Sequence, residues 1–555
     1  MTLLIEVTLA PALAERAAVY DGPAQVVAQI SGQVLGVASV LGVPTETEVR
    51  VVVDRAADRD LLAIRVGGKP CRFPRRLPSR ASAAVRGAWP EHDDLADPDG
   101  WLATATHEEA CQVVGICCAQ ALATTPSFLL IDDAVATYAK ALSIADPGVR
   151  LVTEPNALAH VLRDVVDLRV GIGDVGRVAA LLVETDDMDD LAQRTELLVG
   201  ALADDTVGVL VPGPVAQKLG VGDSDDPDDL LGFVASGLFE ETGLVLPRLV
   251  IEDSDGLPDG TFAVRINNLT TLPFPLVPPD SCLVNDTPAG LRLMGRNGRP
   301  ATIPGAEKPG ALAPLADSLL LEGAGLTTWT TAGHVCLQVA VEVRRHIAAV
   351  VSQDRIFAQL DILERSNPEL VPAARGQIAP AVLTRLVRRL AQDHVPLRHL
   401  PTLLERLVDL PAIDLGWERY SVVDDPVPSP RADDEPPPDY DRIEQFVRTG
   451  LRHHIADHAA RGGVVVAYLL DHHLEAQLAA VQLTEDVEWL ALVALRDELR
   501  RLPITAATPV VLTSREVRAR LQVLTRSTHP TLIVLAHDDL PSDAVVRPVA
   551  RIIAG

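Results

Sequence analysis

The stretch that decides the fold runs from His334 to Leu410. It reads HVCLQVAVEVRRHIAAVVSQDRIFAQLDILERSNPELV and continues through AVLTRLVRRLAQDHVPLRHLPTLLERLVDL. A fainter copy lies upstream, with HEEACQVVGICCAQAL starting at His107 and NALAHVLRDVVDLRVGIGDVGRVAALLVE at Asn156. Cys336 follows Cys111 by 225 residues, and the same spacing carries Pro155 onto Pro380, Arg163 onto Arg388 and Val170 onto Val395. One spacing shared by several elements marks a duplicated module rather than two helices that happen to look alike.

Working outward, the chain reads as α/β of the α+β multi-subdomain kind. The expected architecture is a duplicated module of small α/β subdomain plus helical subdomain, with a C-terminal βαβ-type subdomain. LLIEVTL, VRVVVD and LLAIRVGGKPCRF are strand candidates near the N-terminus, the last with a turn at Gly67-Gly68. TVGVLVPGP at 206–214 is expected to close the first module, residues 1–214, as a strand. KLGVGDSDDPDDL lies in an acidic linker, 215–229, and lacks the ligand spacing of a calcium loop. Residues 230–330 form an α/β subdomain, with VLPRLVIED and TFAVRIN as strands and a Pro/Gly-rich insert of little regular pattern at 271–325. Residues 331–460 form a helical subdomain with a Pro/acid-rich loop at 424–440. SNPEL at 366–370 reads as a helix start capped by Ser or Asn, and Pro396 as a first-turn proline. Ile443, Phe446, Val447, Leu451 and Ile455 fall on one helix face. Residues 461–555 alternate strand and helix, predicting a small sheet with helical cover.

Composition narrows the function. A length of 555 residues predicts roughly three to five compact units. The net charge of −27 argues against nucleic acid as a partner, because a polyanion is repelled. Six cysteines, two of them adjacent at Cys117 and Cys118, are no disulfide framework and fit free thiols in a reducing cytosol. The N-terminus has no basic region of a signal peptide. No apolar stretch is expected to reach the roughly 18–20 residues that span a bilayer, so the reading is cytoplasmic, peripheral to the membrane only through partners.

Two motifs tempt an enzyme or metal reading. GIGDVG, Gly171 to Gly176, matches the dinucleotide pattern GxGxxG, but the preceding VLRDVVDLRV is too charged for a buried strand, and its counterpart 225 residues on is PLRHLP in a helical hairpin. His453, His454 and His458 share a helix, yet spacing fixes no third ligand. No catalytic, cofactor-binding or metal-binding residue is assigned, and no partner-binding residue can be named.

From about Ser236 onward the sequence resembles the cytoplasmic part of the flagellar and type III secretion export-gate family, FHIPEP. The residues that carry the likeness are ETGLVLPRLVIEDSDGLPDGTFAVRIN, VEVRRHIAAVVSQDRIFAQLDILERSNPELV, LTRLVRRLAQDHVPLRHLPTLLERLVDL, DRIEQFVRTGLRHHIADHAARGGVVVAYLLD and a terminal segment ending at Asp538, Asp539, Leu540 and Pro541. The resemblance implies a non-enzymatic role in protein secretion. Domains of this family stack into rings, commonly nonameric, beneath an export gate and receive chaperones and substrates. The implied partners are export apparatus subunits, chaperones or secreted proteins, and further copies of the chain. The family normally begins with a multi-span membrane domain; here a degenerate duplicate of the cytoplasmic module stands in that place. The alternatives are an assembly module without a secretion role, or a nucleotide-binding enzyme using Gly171–Gly176.

Overall fold

The structure is a computed structural model. It describes residues 2–55, 62–71, 85–86, 89, 102, 104–186, 188, 190–213, 215–216, 230–254, 256–305, 308–410, 440–480, 485–502, 509–526 and 528–553.

The chain opens with β1 (Leu3–Leu9), α1 (Ala24–Leu41), β2 (Thr47–Val53), β3 (Leu62–Val66) and β4 (Lys69–Pro70). The sheet order is β2-β1-β3-β4, with β1 parallel to β2 and antiparallel to β3. Alternation in LLIEVTL buries Leu3, Ile5, Val7 and Leu9 on one face, as the two-residue period of a strand requires. Helix α1 covers that face with Val26, Ile30, Val34, Ala38 and Leu41. By length and composition α1 is apolar enough to cross a membrane, with a mean hydropathy of 1.4, which corrects the expectation that no such stretch exists. Among the described residues, the longer α-helices that follow are α2 (His107–Thr124), α3 (Asp132–Ala145), α4 (Pro155–Asp167), α5 (Val175–Glu184) and α6 (Leu191–Leu202). The start of α2 is fixed by a capping box between Thr106 and Glu109.

The same topology then repeats. β5 (Thr206–Val211), α7 (Leu230–Thr242), β6 (Arg248–Asp253), β7 (Thr261–Ile266) and β8 (Leu269–Thr270) give the order β6-β5-β7-β8, with the same parallel and antiparallel pairings. Thr206–Val211 is therefore the central strand of the second module and does not close the first. Its register to Arg248–Asp253 and to Ala263–Ile266 is set by hydrogen-bonding partners far along the chain, which no local pattern reveals. Only three residues, 203–205, separate α6 from β5. Most of the expected linker, 217–229, lies outside the described residues; 215–229 connects β5 to α7 within one module.

The insert expected to be irregular holds a second sheet. After β9 (Phe274–Pro275), which pairs with β7, come β10 (Ser281–Val284), β11 (Arg299–Ile303), β12 (Lys308–Pro314) and β13 (Thr328–Trp329), ordered β11-β12-β10-β13. These strands run from two to seven residues, and Pro300, Pro309, Gly310 and Pro314 interrupt them, so the strand signal is weak.

The helical part of the second module includes α8 (Thr331–Arg345), α9 (Gln353–Glu364), α10 (Pro380–Gln392), α11 (Leu400–Val408) and α12 (Tyr440–Ala459), with shorter helices at Ile347–Val350 and Leu370–Gln377. The duplication is visible atom by atom at α4 and α10. Both have 13 residues, both carry Pro at the start, and both end on a left-handed residue, Arg169 at φ 64° and His394 at φ 57°. In both, the next valine (Val170, Val395) bonds back to the carbonyl five residues earlier (Val165, Leu390). Arg163 donates to the carbonyl of Leu130, and Arg388 to that of Val351; each acceptor follows a short helical turn, at 126–129 and 347–350. The glycine that ends the first helix also repeats. A Cβ on Gly42 would stand 2.1 Å from Gly173 Cα, and one on Gly243 2.0 Å from Arg398 N.

Two helix starts differ from expectation. The helix after SNPEL begins at Leu370 with Glu369 at its cap, so Pro368 lies outside it. Pro396 precedes a 3-10 turn, Leu397–His399, and Pro401 occupies the first turn of α11.

The C-terminal unit has β14 (Val464–Leu470), α13 (His472–Ala479), α14 (Glu485–Arg501), β15 (Val510–Thr513), α15 (Arg515–Arg526), β16 (Val534–Ala536) and β17 (Val545–Ile552). Its sheet is fully parallel, ordered β16-β15-β14-β17. Buried parallel strands read as continuous apolar runs, which is why VVVAYLL and VVLT were legible. Pro548 falls on the edge strand opposite Ala467, beside the register shift between Ala467 and Tyr468, a place where a residue without an N–H is tolerated.

Candidate binding cleft at the module junction

The turn between β7 and β8 ties the two modules together. In the first module this turn is Gly67-Gly68, both at positive φ. In the second it is Asn267-Asn268, with Asn267 at φ 51°. Asn is among the few residues that tolerate this conformation, and here its side chain is used. Asn267 Nδ2 donates to Leu168 O at 2.7 Å and to Ala349 O at 3.1 Å. Asn268 N donates to Arg169 O at 3.1 Å, and Gly171 N to Asn268 Oδ1 at 2.7 Å. Leu269 completes the plug by entering the core of the first module.

Gly171–Gly176 is thereby placed. It follows the helix α4, not a strand. The Gly171 amide is taken by Asn268, Ile172 N bonds to Leu41 O at 2.7 Å, and Gly173 lies against Gly42. Asp174 caps α5 by accepting from Arg177 N at 3.0 Å. The glycines permit close backbone packing between two turns. They do not form a phosphate-facing loop at the end of a strand, as dinucleotide binding needs.

Ion pairs reinforce the junction. Arg388 Nη1 meets Glu196 Oε1 at 2.5 Å with side chains 7% and 1% exposed. Arg385 pairs with Asp164. Arg355 reaches Asp205, but that carboxylate is 98% exposed, and such surface pairs add little. A second buried cluster fastens the C-terminal unit. Arg448 grips Asp539 through two bonds, at 2.9 and 2.5 Å, and Arg518 links Glu444 at 2.6 Å and Asp393. Asp539, seen in the sequence only as part of an acidic motif, is fully buried and also accepts from Ala536 N at 2.8 Å.

Between the modules and α15 opens a cleft of about 480 Å³. Its walls include Val37 and Val40 of α1, Arg169 after α4, Thr270 of β8, Arg345 at the end of α8 and Arg526 of α15. None of these was singled out in the sequence as a binding residue, since they come together only when the copies dock. Arg169 is 3% exposed. Burial lowers its pKa to about 10, so it stays charged at neutral pH. The histidines of α12 gather elsewhere. His454 stacks on His399 at 3.6 Å between ring centroids. His458 faces Glu241, which Arg344 holds through bonds at 2.9, 3.0 and 2.6 Å. Among the described residues no group of three or more His, Cys, Asp or Glu is placed to hold a metal.

Residues 224–545 match the FHIPEP family. The chain belongs to the FHIPEP family, the export-gate family of flagellar and type III secretion. It is 24% identical over 331 residues to the Hypersensitivity response secretion protein HrcV of Ralstonia nicotianae, spanning 57% of this chain and 44% of the relative. It is 22% identical over 326 residues to the Probable translocation protein y4yR of Sinorhizobium fredii, spanning 56% and 42%. The chain thus covers less than half the length of these curated relatives. The Chlamydia pneumoniae CdsV structure aligns with a TM-score of 0.50 at 19% identity, covering 62% of this chain and 97% of that one. The Chlamydia pneumoniae CdsV and CdsO protein complex gives 0.51 at the same identity and coverage. At such identity the likeness speaks for the fold. The matched segment begins after β5 and leaves the first module outside it.

Proposed function

We propose that the chain is a non-enzymatic component of flagellar or type III protein export, a soluble export-gate-like docking or scaffold protein for export substrates and chaperones. The family match over residues 224–545 carries this reading. The secretion name of the HrcV relative and the pairing of CdsV with CdsO support it by analogy. Residues up to about 203 act as one module, 206–460 as the second and 461–553 as the C-terminal unit. The first module serves as a built-in neighbour for the second. Its contact is heterologous, the type that also builds rings, and a homo-oligomeric ring belongs to the reading. The site of action is the cytoplasm, at the inner face of the membrane through partners.

The test is capture of export apparatus subunits and chaperones on immobilised full-length chain, with light scattering for oligomeric state. Binding of an export subunit or chaperone at micromolar strength supports the proposal. A strict monomer that retains neither rejects it.

A further inference from the structure

We propose that the cleft at the module junction is a binding site for a small oxyanion, a carboxylate or phosphate held by Arg169 at its floor and by Arg345 and Arg526 at its walls. The inference stands apart from the export reading, because the cleft exists only where the first module meets the second.

The argument starts from charge. Arg169 is buried, and its backbone is held at φ 64°. Its guanidinium meets only neutral groups: Leu269 O at 3.0 Å, Ala123 O at 3.4 Å and His346 Nε2 at 3.3 Å. The Glu342 carboxylate acts on it but is shared with Arg345, which it meets at 2.7 Å, and the Arg169 Nε has no hydrogen-bond partner among the described residues. A buried charge that must share its counter-charge is costly, so folded proteins pair such groups fully or supply them with a ligand. His346 adds no negative charge. Burial, then Arg169 and Arg345, hold its pKa well below the usual range, so it remains neutral.

The walls add two further guanidinium groups. Arg345 and Arg526 line the same cleft. The two carboxylates present are engaged. Glu342 accepts from Arg345 at 2.7 and 3.1 Å and from Gln338 at 2.8 Å, and Asp167 accepts from Ser127 N at 2.9 Å. Arg169 and Arg345 thus share the Glu342 carboxylate, while Arg526 stands 3.7 Å from Asp393 Oδ1. Guanidinium donors match the planar oxygens of carboxylate and phosphate. A volume of about 480 Å³ suits a metabolite-sized ligand or one acidic side chain of a peptide.

The experiment uses the full chain and measures thermal stabilisation and calorimetric binding with inorganic phosphate, citrate and an acetylated Asp-Glu-Asp peptide. Sodium chloride at equal ionic strength is the reference in each case. Saturable one-to-one binding of at least one oxyanion beyond chloride is expected. Phosphate alone would indicate a phosphate-bearing ligand, citrate alone a free polycarboxylate, and the peptide an acidic side chain. Val40→Glu places a carboxylate at the cleft wall on a side chain already 51% exposed, and it should weaken that binding at least roughly tenfold. Arg169→Met should abolish it. Binding no better than chloride, or binding unchanged in Val40→Glu, overturns the proposal. If Arg169→Met fails to fold, the surface variant decides.

Discussion

Arg388 of the second module and Glu196 of the first meet at 2.5 Å, almost entirely out of water. Arg388 also serves its own module by donating to Val351 O at 2.9 Å. The pair is not fully satisfied, since Glu196 Oε2 and Arg388 Nη2 lack partners among the described residues. Removing one partner leaves a buried charge alone. Glu196→Ala should therefore destabilise the chain by about 3–5 kcal/mol, while Glu196→Leu with Arg388→Met should recover much of that loss. Urea unfolding of both variants checks this. A single variant as stable as the parent refutes it.

The glycines at the ends of α1 and α7 give a second expectation. Gly42 and Gly243 combine positive φ, 71° and 76°, with neighbouring backbone atoms 2.1 and 2.0 Å from where a Cβ would stand. Gly42→Ala and Gly243→Ala should each cost at least about 3 kcal/mol, from strain and displaced backbone. Gly173→Ala should cost below about 1 kcal/mol, because its Cβ would meet Gly42 Cα at an ordinary 3.5 Å. Chemical denaturation of the three variants separates the cases. A severe loss from Gly173→Ala alone would contradict the packing described.

Acid sensitivity should trace in part to His334. The ring is 2% exposed, lies between Trp89 and Phe262, and its Nδ1 has no partner among the described residues. Burial lowers its pKa to about 3. The unfolded chain then binds a proton that the folded chain refuses between about pH 6.5 and 3, so stability falls as pH falls through that window. The slope from this residue approaches about 1.4 kcal/mol per pH unit. His334→Phe, which keeps a ring between the two aromatics, should flatten the profile by that amount. Denaturation midpoints from pH 7 to pH 4 give the reading.

At the junction turn, Asn267→Gly restores the residue type of Gly67 in the first module. The left-handed backbone is retained, but the side-chain bonds to Leu168 and Ala349 are lost. The expected cost is about 1–3 kcal/mol. Equal stability in a melting comparison would show that the asparagine is there for its backbone alone.

The terminal unit was legible because VVVAYLL, VVLT and LIVLA are apolar runs bounded by turn residues, the mark of buried parallel strands. The duplication was legible because α4 and α10 kept their prolines and their length. The sheet at 281–329 was not, because strands of two to seven residues interrupted by Pro and Gly carry little periodicity. The local sequence of β5 suits either sheet equally, and only its pairing with β6 and β7 distinguishes them. The cleft was invisible for a deeper reason. Arg169 and Arg526 are 357 residues apart in the chain, and nothing near either one hints at the other. A faint signal did exist: Arg169 and His394 hold the same place after the same helix, so an arginine stood where a turn residue was expected.

The placement of β5 makes the two modules inseparable by ordinary means. The strand belongs to the first module by chain continuity and to the second by hydrogen bonding. A protease that cut between 217 and 229 would leave two fragments sharing one sheet. The shorter would lend its last strand to the longer, holding the severed protein together by donor-strand complementation.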